Sequence, residues 1–561
     1  MDVETERIQT DVLIIGGGVA GCAGAIAAAE QGQNVVLVEK AWTGGSGAST
    51  FATGGFYWFD PERHSIREIL EKTNKSSCHM FDPEWMEWFC HNVHDLIIKF
   101  DEKGVPFRKD ENGSFVLMPS RGGTELVLVP GYIFQKKMRS LVSQANVRLL
   151  DRIMITRLLT SGGEVTGAAG FNVRTGKFYV IEAKNTVLAA GGCSYKGNFF
   201  GQDMLCGEWL YMASLVGAEF TNMEFSNCFN TTAKDFDLFG LGLFPRMGAK
   251  FMNSRGEYFM ERYDPVHKDN SLLNTVLLAM ATEVKEGRGP IYFDMSLIPE
   301  EKRQVVRETV PLCFEAFDSK GIDPYAQPLE WMPAFLGAAS CGSGLTLASF
   351  NCNTTVPGLY AAGDVSNEGL IIGGSLGPGG INISWALVTG WKAGEAAAVS
   401  ARSKDIIPAS QEDIEAVKNV TFAKLGHTGT MTIDDAVLKV QAAVIPARFS
   451  ILRSENSLRE GLSKLEKLEH EIDQEIIVRD THELMSYHEL PGMLSTARMT
   501  YMTALFRTES RGSHFREDYP GTDDKNWLAW TKTVKKSNEY IIKKEPVSAE
   551  KFKRCDLKLP L

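Results

Sequence analysis

The sequence predicts an α/β fold: a doubly wound domain on a parallel sheet, an inserted α+β domain, and a C-terminal helical domain. Three observations predict it. A glycine turn sits between an apolar strand and a helix near the start of the chain. Two later apolar strands end in Gly-Gly and Gly-Asp. After about residue 408, apolar residues recur at three- and four-residue spacing, the period of a helix face.

The first element is the most specific. Asp11-Val12-Leu13-Ile14-Ile15 reads as a strand rich in β-branched residues, and Gly16-Gly17-Gly18-Val19-Ala20-Gly21 follows at once. An Ala-rich helix then runs to Glu30, a turn follows, and Asn34 to Val38 forms a second strand ending on Glu39. In such a unit Gly16 permits the tight turn, Gly18 lets a pyrophosphate approach the backbone, and Gly21 lets the helix pack on the strand. The helix N-terminus offers unpaired N–H groups and a partial positive charge to phosphates. Glu39 can accept hydrogen bonds from a ribose. The unit predicts dinucleotide binding.

Asn146 to Leu150, followed by a β-meander, leads to Thr186-Val187-Leu188-Ala189-Ala190-Gly191-Gly192, and Gly358 to Asp364 supplies a further strand. Apolar strands with Gly-rich carboxyl ends suit a buried parallel sheet facing a ligand. Asp364 is placed to hold a ribityl chain or pyrophosphate. The Gly373–Gly380 loop opens another helix, whose N-terminus is expected to face the ligand. The boundaries read as 1–219 and 346–407 for the two parts of the nucleotide domain, 220–345 for the insertion, and 408–561 for the helical domain and tail. Helices are expected over Ile433–Leu452, Ser457–Val478 and His482–Phe506, with Pro491 breaking or kinking the last. The lysine-rich stretch from Lys532 to Arg554 reads as solvated surface.

Bulk properties narrow the class. The 561 residues suffice for two to four domains. Net charge is −11 with acids and bases interspersed, which argues against a nucleic-acid partner. The polar start and the lack of a long apolar run predict a cytoplasmic protein without a membrane span. The ten cysteines show no metal or cluster spacing, so free thiols and no metal centre are expected.

Phe506-Arg507-Thr508-Glu509-Ser510-Arg511-Gly512-Ser513-His514-Phe515-Arg516-Glu517-Asp518-Tyr519-Pro520 closely resembles a signature of the succinate dehydrogenase/fumarate reductase flavoprotein superfamily. So do Asn253 to Glu257 with Phe259 to Tyr263, and Val356 to Asp364. Ser46-Gly47-Ala48 followed by Thr53-Gly54-Gly55, and Thr481 to Met485, look closer to the adenylylsulfate reductase alpha-subunit branch. The resemblance implies a Rossmann-like FAD-binding domain, an inserted α+β capping domain and a C-terminal helical domain. It also implies FAD, with contacts expected at Gly16, Gly18, Ala20, Gly21, Glu39, Lys40, Ser46, Thr53, Gly54, Gly55, Ala190, Gly191, Gly363, Asp364 and Ile381. Many respiratory members link FAD through a His before the Gly-Gly pair; here that position is Ala48, so noncovalent FAD is expected.

The substrate end departs from the dicarboxylate enzymes. Phe229 stands near the first expected substrate His, and Gly337 to Gly344 replaces the region of the second. The cap arginine falls near Pro245, with Arg246 one place away, and the other substrate arginine near Gly377. A dianion needs paired basic groups to offset its desolvation. Succinate and fumarate are therefore not the expected substrates. Phe225, Cys228, Phe229, Phe244 and Cys341 read either as cap core or as the pocket of a bulky aromatic or alicyclic substrate. Arg246, Arg511 and His514 are the acid/base candidates, with structural support the competing role for the last two.

The expected activity is FAD-dependent hydride transfer between flavin N5 and a carbon centre of a small molecule, adding or removing a C–C double bond. One alternative is the flavoprotein component of an adenylylsulfate-reductase-like complex, acting on a sulfur oxyanion with an iron–sulfur or ferredoxin-like partner. Another is an electron-transfer flavoprotein without its own substrate. Oligomerisation stays open.

Overall fold

The computed structural model describes residues 3–52, 54–120, 124–197, 201–226, 228–235, 244–337, 342–537 and 539–560, without the side chains of Cys228, Phe229, Asn230, Thr309, Leu312 and Leu336. Strands Arg148–Asp151, Val35–Glu39, Thr5–Ile15, Phe178–Leu188 and Leu359–Ala361 lie side by side, all parallel. Leu13, Ile14 and Leu37 are fully buried, as strands covered on both faces must be. The register aligns Ile15 with Val38 and Leu188, and Leu188 with Ala361. Four carboxyl ends therefore open on one crevice. The meander Ile153–Ser161 and Glu164–Asn172 joins the sheet antiparallel.

Helix Val19–Glu30 packs against helix Ile381–Ala401 through glycines. A Cβ at Gly390 would stand 2.3 Å from the Ala20 carbonyl oxygen, and one at Gly394 2.0 Å from that of Gly24. This backbone-to-backbone contact fixes the start of the first helix under the glycine turn.

The inserted domain carries an antiparallel sheet of Cys228–Ala233, Leu329–Gly337, Ile291–Asp294 and Lys250–Met252. Helices Leu273–Lys285, Glu300–Thr309 and Pro311–Ser319 complete it. The two chain crossings at its base are clasped by a hydrogen bond between the Ser226 and Ser343 hydroxyls, 2.8 Å apart.

The helical region contains Gln411–Phe422, Ile433–Val444, Glu455–Glu475 and Thr481–Phe506. Pro491 lies inside the last of these and does not end it. The tail corrects the expectation of a solvated surface. Ala529–Lys536 pairs with Glu219–Thr221, which also pairs with Gly344–Leu345, and Glu539–Pro546 forms the outer strand. Lys532 is 4% exposed and donates to Thr221 Oγ1 at 3.0 Å, with Glu219 at 3.6 Å. The charge pattern of the tail concealed one buried strand behind an exposed one. Among the described residues, no helix is long and apolar enough to cross a membrane.

Candidate functional site

A cavity of about 1020 Å³ runs from the carboxyl ends of the sheet to the cap. Its floor is the Gly16–Ala20 turn. The three fingerprint glycines are needed for different reasons. At Gly16, φ is 110° and a Cβ would meet the Ala189 carbonyl oxygen at 2.3 Å. At Gly21 a Cβ would meet the Gly16 carbonyl oxygen at 1.8 Å. At Gly18 nothing lies nearer than Ser49 Oγ at 3.4 Å, so the backbone there is open to a ligand. The N-cap residue of the helix that begins at Val19 is Gly18, which offers no capping side chain, and the Val19 N–H donates to Ser49 Oγ at a long 3.4 Å.

Glu39 lines the cavity and braces the turn: its carboxylate accepts from Gly17 N–H at 2.7 Å and from Ala41 N–H at 2.9 Å. Ser46 Oγ lies 3.3 Å from the same carboxylate. Lys40 also lines the cavity, yet its ammonium is held by Glu208 and Glu489, each at 2.6 Å. Burial acts to lower its pKa; the two carboxylates outweigh that and hold it well above the ordinary value. Lys196 binds the other oxygen of Glu489 at 2.8 Å.

On the opposite wall are Ala190, Gly191, Gly363 and Asp364. Gly363 N–H donates to Thr389 Oγ1 at 2.9 Å. Asp364 has no hydrogen-bond partner among the described residues, and burial pushes its carboxyl up to about 7. Its neighbour Glu368 is pushed well above the carboxylate range by burial and by Asp364, against a hydrogen bond from Asn382 Nδ2 at 2.8 Å. Gly55 lines the cavity, and a Cβ at Gly54 would fall 1.6 Å from the Val129 carbonyl oxygen. Ile381 is fully buried; its neighbours Asn382 and Ile383 reach the cavity instead. Thr53 lies outside the described residues. The open backbone at Gly18, a helix start with a glycine as its cap residue and the partnerless Asp364 fit a dinucleotide with a hydroxylated chain, as in FAD.

The cap wall contains Arg246, Leu273, Glu308, Val310, Cys313 and Glu315. Among the described residues Arg246 has no carboxylate in salt-bridge range. The aromatic candidates stand elsewhere. Phe244 is fully buried in the cap core between Phe293 and Phe314. Phe225 is fully buried against Gly374, His514 and the Arg507 guanidinium. Both rings fill protein cores, so neither is a wall of the cavity. Cys341 and the side chains of Cys228 and Phe229 lie outside the described residues.

Arg511 and His514 occupy a buried charge cluster. The Arg511 guanidinium is spent on Glu509 at 2.8 and 3.0 Å, Asp524 at 2.8 Å and the Cys78 carbonyl at 3.0 Å. Arg453 Nη1 donates to His514 Nδ1 at 2.8 Å, and Nε2–H faces the Arg507 carbonyl at 3.4 Å. Burial, followed by Arg453, Arg507 and Arg516, holds His514 well below 6.5. An imidazole with both nitrogens engaged fits the structural role of the two left open for His514. Arg507 is itself fully buried between Glu224 at 2.7 Å and Glu509 at 2.8 Å.

Lys196, Glu208, Asn382, Arg453 and Glu489 escaped sequence reasoning. Only Glu489, a charge in the apolar run Glu489-Leu490-Pro491-Gly492-Met493-Leu494, carried a visible signal.

Fold and cavity together define a flavin-dependent oxidoreductase. Residues 11–378 match the FAD binding domain family and residues 441–559 the fumarate reductase flavoprotein C-terminal family. The chain belongs to the succinate dehydrogenase/fumarate reductase flavoprotein family. It is 29% identical over 549 residues to one of the subunits of a CoM/CoB fumarate reductase of Methanothermobacter marburgensis, covering 93% of this chain and 96% of that protein. It is 27% identical over 533 residues to an uncharacterized FAD-dependent oxidoreductase of Methanocaldococcus jannaschii, covering 92% and 95%. Among solved structures, a quinol fumarate reductase chain of E. coli superposes with a TM-score of 0.86, at 21% identity and 97% coverage of both chains. An adenylylsulfate reductase of Archaeoglobus fulgidus gives 0.81, at 22% identity and 98% and 97% coverage. The fold is thus shared with both branches.

Proposed function

We infer that the protein moves a hydride between noncovalent FAD and a carbon centre, reducing or forming a C–C double bond. The substrate is bulky, mainly apolar or alicyclic, carries at most one negative charge, and is neither succinate nor fumarate. The observation that carries this reading is the cap wall: among the described residues it holds one guanidinium, Arg246, and two carboxylates, Glu308 and Glu315, with Leu273, Val310 and Cys313. A dicarboxylate would meet more like charges than opposite ones, and its desolvation would go unmet. When bound, FAD supplies the hydride chemistry, and the protein holds and orients. Glu39 and the Gly16–Gly18 backbone hold the nucleotide end, Asp364 the ribityl chain, and Ala48, which lines the cavity, offers no side chain for a covalent link.

The test is anaerobic. The FAD-loaded enzyme is photoreduced, then mixed with cyclic enones, monocarboxylic enoates or fumarate, and reoxidation is followed in the visible flavin band. Enones or enoates should reoxidise the flavin and fumarate should not. Reoxidation by fumarate at comparable rates, or by none of the panel, would sink the reading.

A role within a larger complex is favoured by the archaeal relative, which is named as one part of a multi-subunit reductase. Among the described residues no group of three or more His, Cys, Asp or Glu side chains could hold a metal ion. A cytoplasmic iron–sulfur or ferredoxin-like protein that co-purifies and reduces the flavin would establish that arrangement.

A further inference from the structure

We propose that Glu368, held as an uncharged carboxylic acid, is a positioning residue for the cofactor: it fixes the Asn382 amide toward FAD, and its ionisation loosens the hold on FAD. This rests on FAD binding and not on the double-bond chemistry above. Asn382, Trp385 and Thr389 lie on one face of helix Ile381–Ala401, spaced by three and four residues, and all three bind the segment Gly363–Glu368. Gly363 N–H donates to Thr389 Oγ1 at 2.9 Å, Trp385 Nε1 donates to Ser366 Oγ at 2.9 Å, and Asn382 Nδ2 donates to Glu368 Oε2 at 2.8 Å. Ser366, Trp385 and Thr389 are fully buried, and Glu368 is 1% exposed. The seam ends at the cavity wall, where Asn382 and Asp364 both stand.

A charge on Glu368 would go uncompensated. Among the described residues no cation lies in salt-bridge range of Glu368 or Asp364, and Glu368 Oε1 is buried without a partner. A buried, unpaired carboxylate is costly, and taking up a proton removes that cost. Asp364 is the one ionisable group near enough to act on Glu368. Strand Gly344–Leu345, packed against the segment, has no ionisable side chain. The first charge on helix Ile381–Ala401 is Lys392, about three turns beyond Asn382. Helix Pro83–Glu102 starts beside Leu370, and the acids at that end, Asp82 and Glu84, are paired with Lys551 and Arg554. The charged side chains of helix Ile66–Ser76 are exposed.

The Asn382 amide spends its nitrogen on Glu368, so its oxygen is left for the cavity that the residue lines. That oxygen is an acceptor for a hydroxyl or a ring N–H of the cofactor. Asp364 beside it holds the ribityl hydroxyls best as a carboxylate, because only the ionised form accepts through both oxygens. The pair therefore works with one proton, and that proton belongs on Glu368. Bound FAD excludes the water that would otherwise screen a second charge, so the loaded protein holds this proton more tightly than the free protein. By linkage, FAD affinity falls as the pH rises through the titration of Glu368. Burial and Asp364 hold that titration well above the carboxylate range, whereas Asp364 itself titrates at about 7.

The FAD-loaded protein is diluted at about pH 8 and at about pH 10, above the range in which Asp364 changes charge, and FAD release is read from the recovery of free-flavin fluorescence. Over this interval wild type should lose about tenfold in FAD affinity relative to Glu368→Gln, which keeps an oxygen for Asn382 and cannot ionise. Glu368→Ala should weaken FAD about fivefold at about pH 8, the range of one neutral hydrogen bond. In the infrared at neutral pH, Glu368→Gln should lack the carbonyl stretch of one protonated carboxyl. The same pH profile in wild type and Glu368→Gln, FAD held as tightly by Glu368→Ala as by wild type, or loss of a carboxylate band in place of the protonated one would each overturn the proposal. The profile and the infrared band decide it even where the alanine variant does not fold. The two readings fail separately. A pH profile indifferent to Glu368→Gln removes the role of Glu368 and keeps the reaction, and a flavin that no enone reoxidises removes the reaction and keeps Glu368.

Discussion

Acidification should loosen the helical domain, and His488 allows the effect to be sized. His488 is 7% exposed, and its ring nitrogen Nε2 donates to the Thr421 carbonyl at 2.8 Å, tying helix Thr481–Phe506 to helix Gln411–Phe422. Burial, with Arg157 adding to it, lowers its pKa to about 4 against the hydrogen bond, so the folded protein holds a neutral imidazole. Because the folded pKa lies below the unfolded value of about 6.5, the unfolded chain takes up the proton first. The contribution to stability is full above about 6.5 and is lost as the pH falls toward about 4. At about 1.4 kcal/mol per unit, the descent from pH 7 to 5 costs about 2 kcal/mol through this residue. His488→Gln keeps an N–H donor and cannot charge. Urea unfolding of the FAD-loaded proteins, followed by far-ultraviolet circular dichroism at both pH values, should show a loss about 2 kcal/mol larger in wild type. His514 also titrates low and adds the same slope to both proteins. Equal losses would refute the burial argument.

Gly21→Ala should yield protein that leaves gel filtration without flavin, since the new Cβ would fall 1.8 Å from the Gly16 carbonyl oxygen; a wild-type ratio of visible to ultraviolet absorbance would contradict this. Glu509→Gln strips the shared carboxylate from Arg507 and Arg511, both nearly inaccessible, and should destabilise the protein by about 3–5 kcal/mol in chemical unfolding. Arg246→Gln should raise KM for a monocarboxylic enoate about tenfold, as expected for one hydrogen bond to a charged group, and leave a neutral enone unchanged; equal effects on both would remove Arg246 as an anion contact.

The cofactor end was legible in the sequence because backbone dictates it. Gly16 and Gly21 are forced by close carbonyl contacts, and the strands around them announce themselves by apolar runs. The Lys40–Glu208–Glu489–Lys196 cluster was not legible, because its members come together only when the sheet, a loop and the helical domain pack. Phe225 and Phe244 show the opposite failure. An aromatic residue in a cap reads the same whether it lines a pocket or fills a core, and only the third dimension separates the two. Lys532 looked like surface because its neighbours in sequence are charged; its partners Thr221 and Glu219 lie some three hundred residues away.

The Arg507–Arg516 segment joins these observations into one argument. Four arginines, Arg453, Arg507, Arg511 and Arg516, converge with Glu224 and Glu509 in an interior that would reject any of them alone, with Asp518 and Asp524 pairing from its solvent edge. Proton transfer requires a group that changes charge, and this cluster suppresses such change: burial and three guanidinium groups hold its imidazole neutral. What the cluster can do is hold backbone. It anchors a turn at Gly512 against Gly374, on the loop that also carries Leu376, and so fixes where the helical domain, the cap helix and the cofactor cavity meet. The charged side chains supply the rigidity of that turn, and the backbone contact of Gly512 and Ser513 with the Gly374 carbonyl passes it to the loop beside the cofactor.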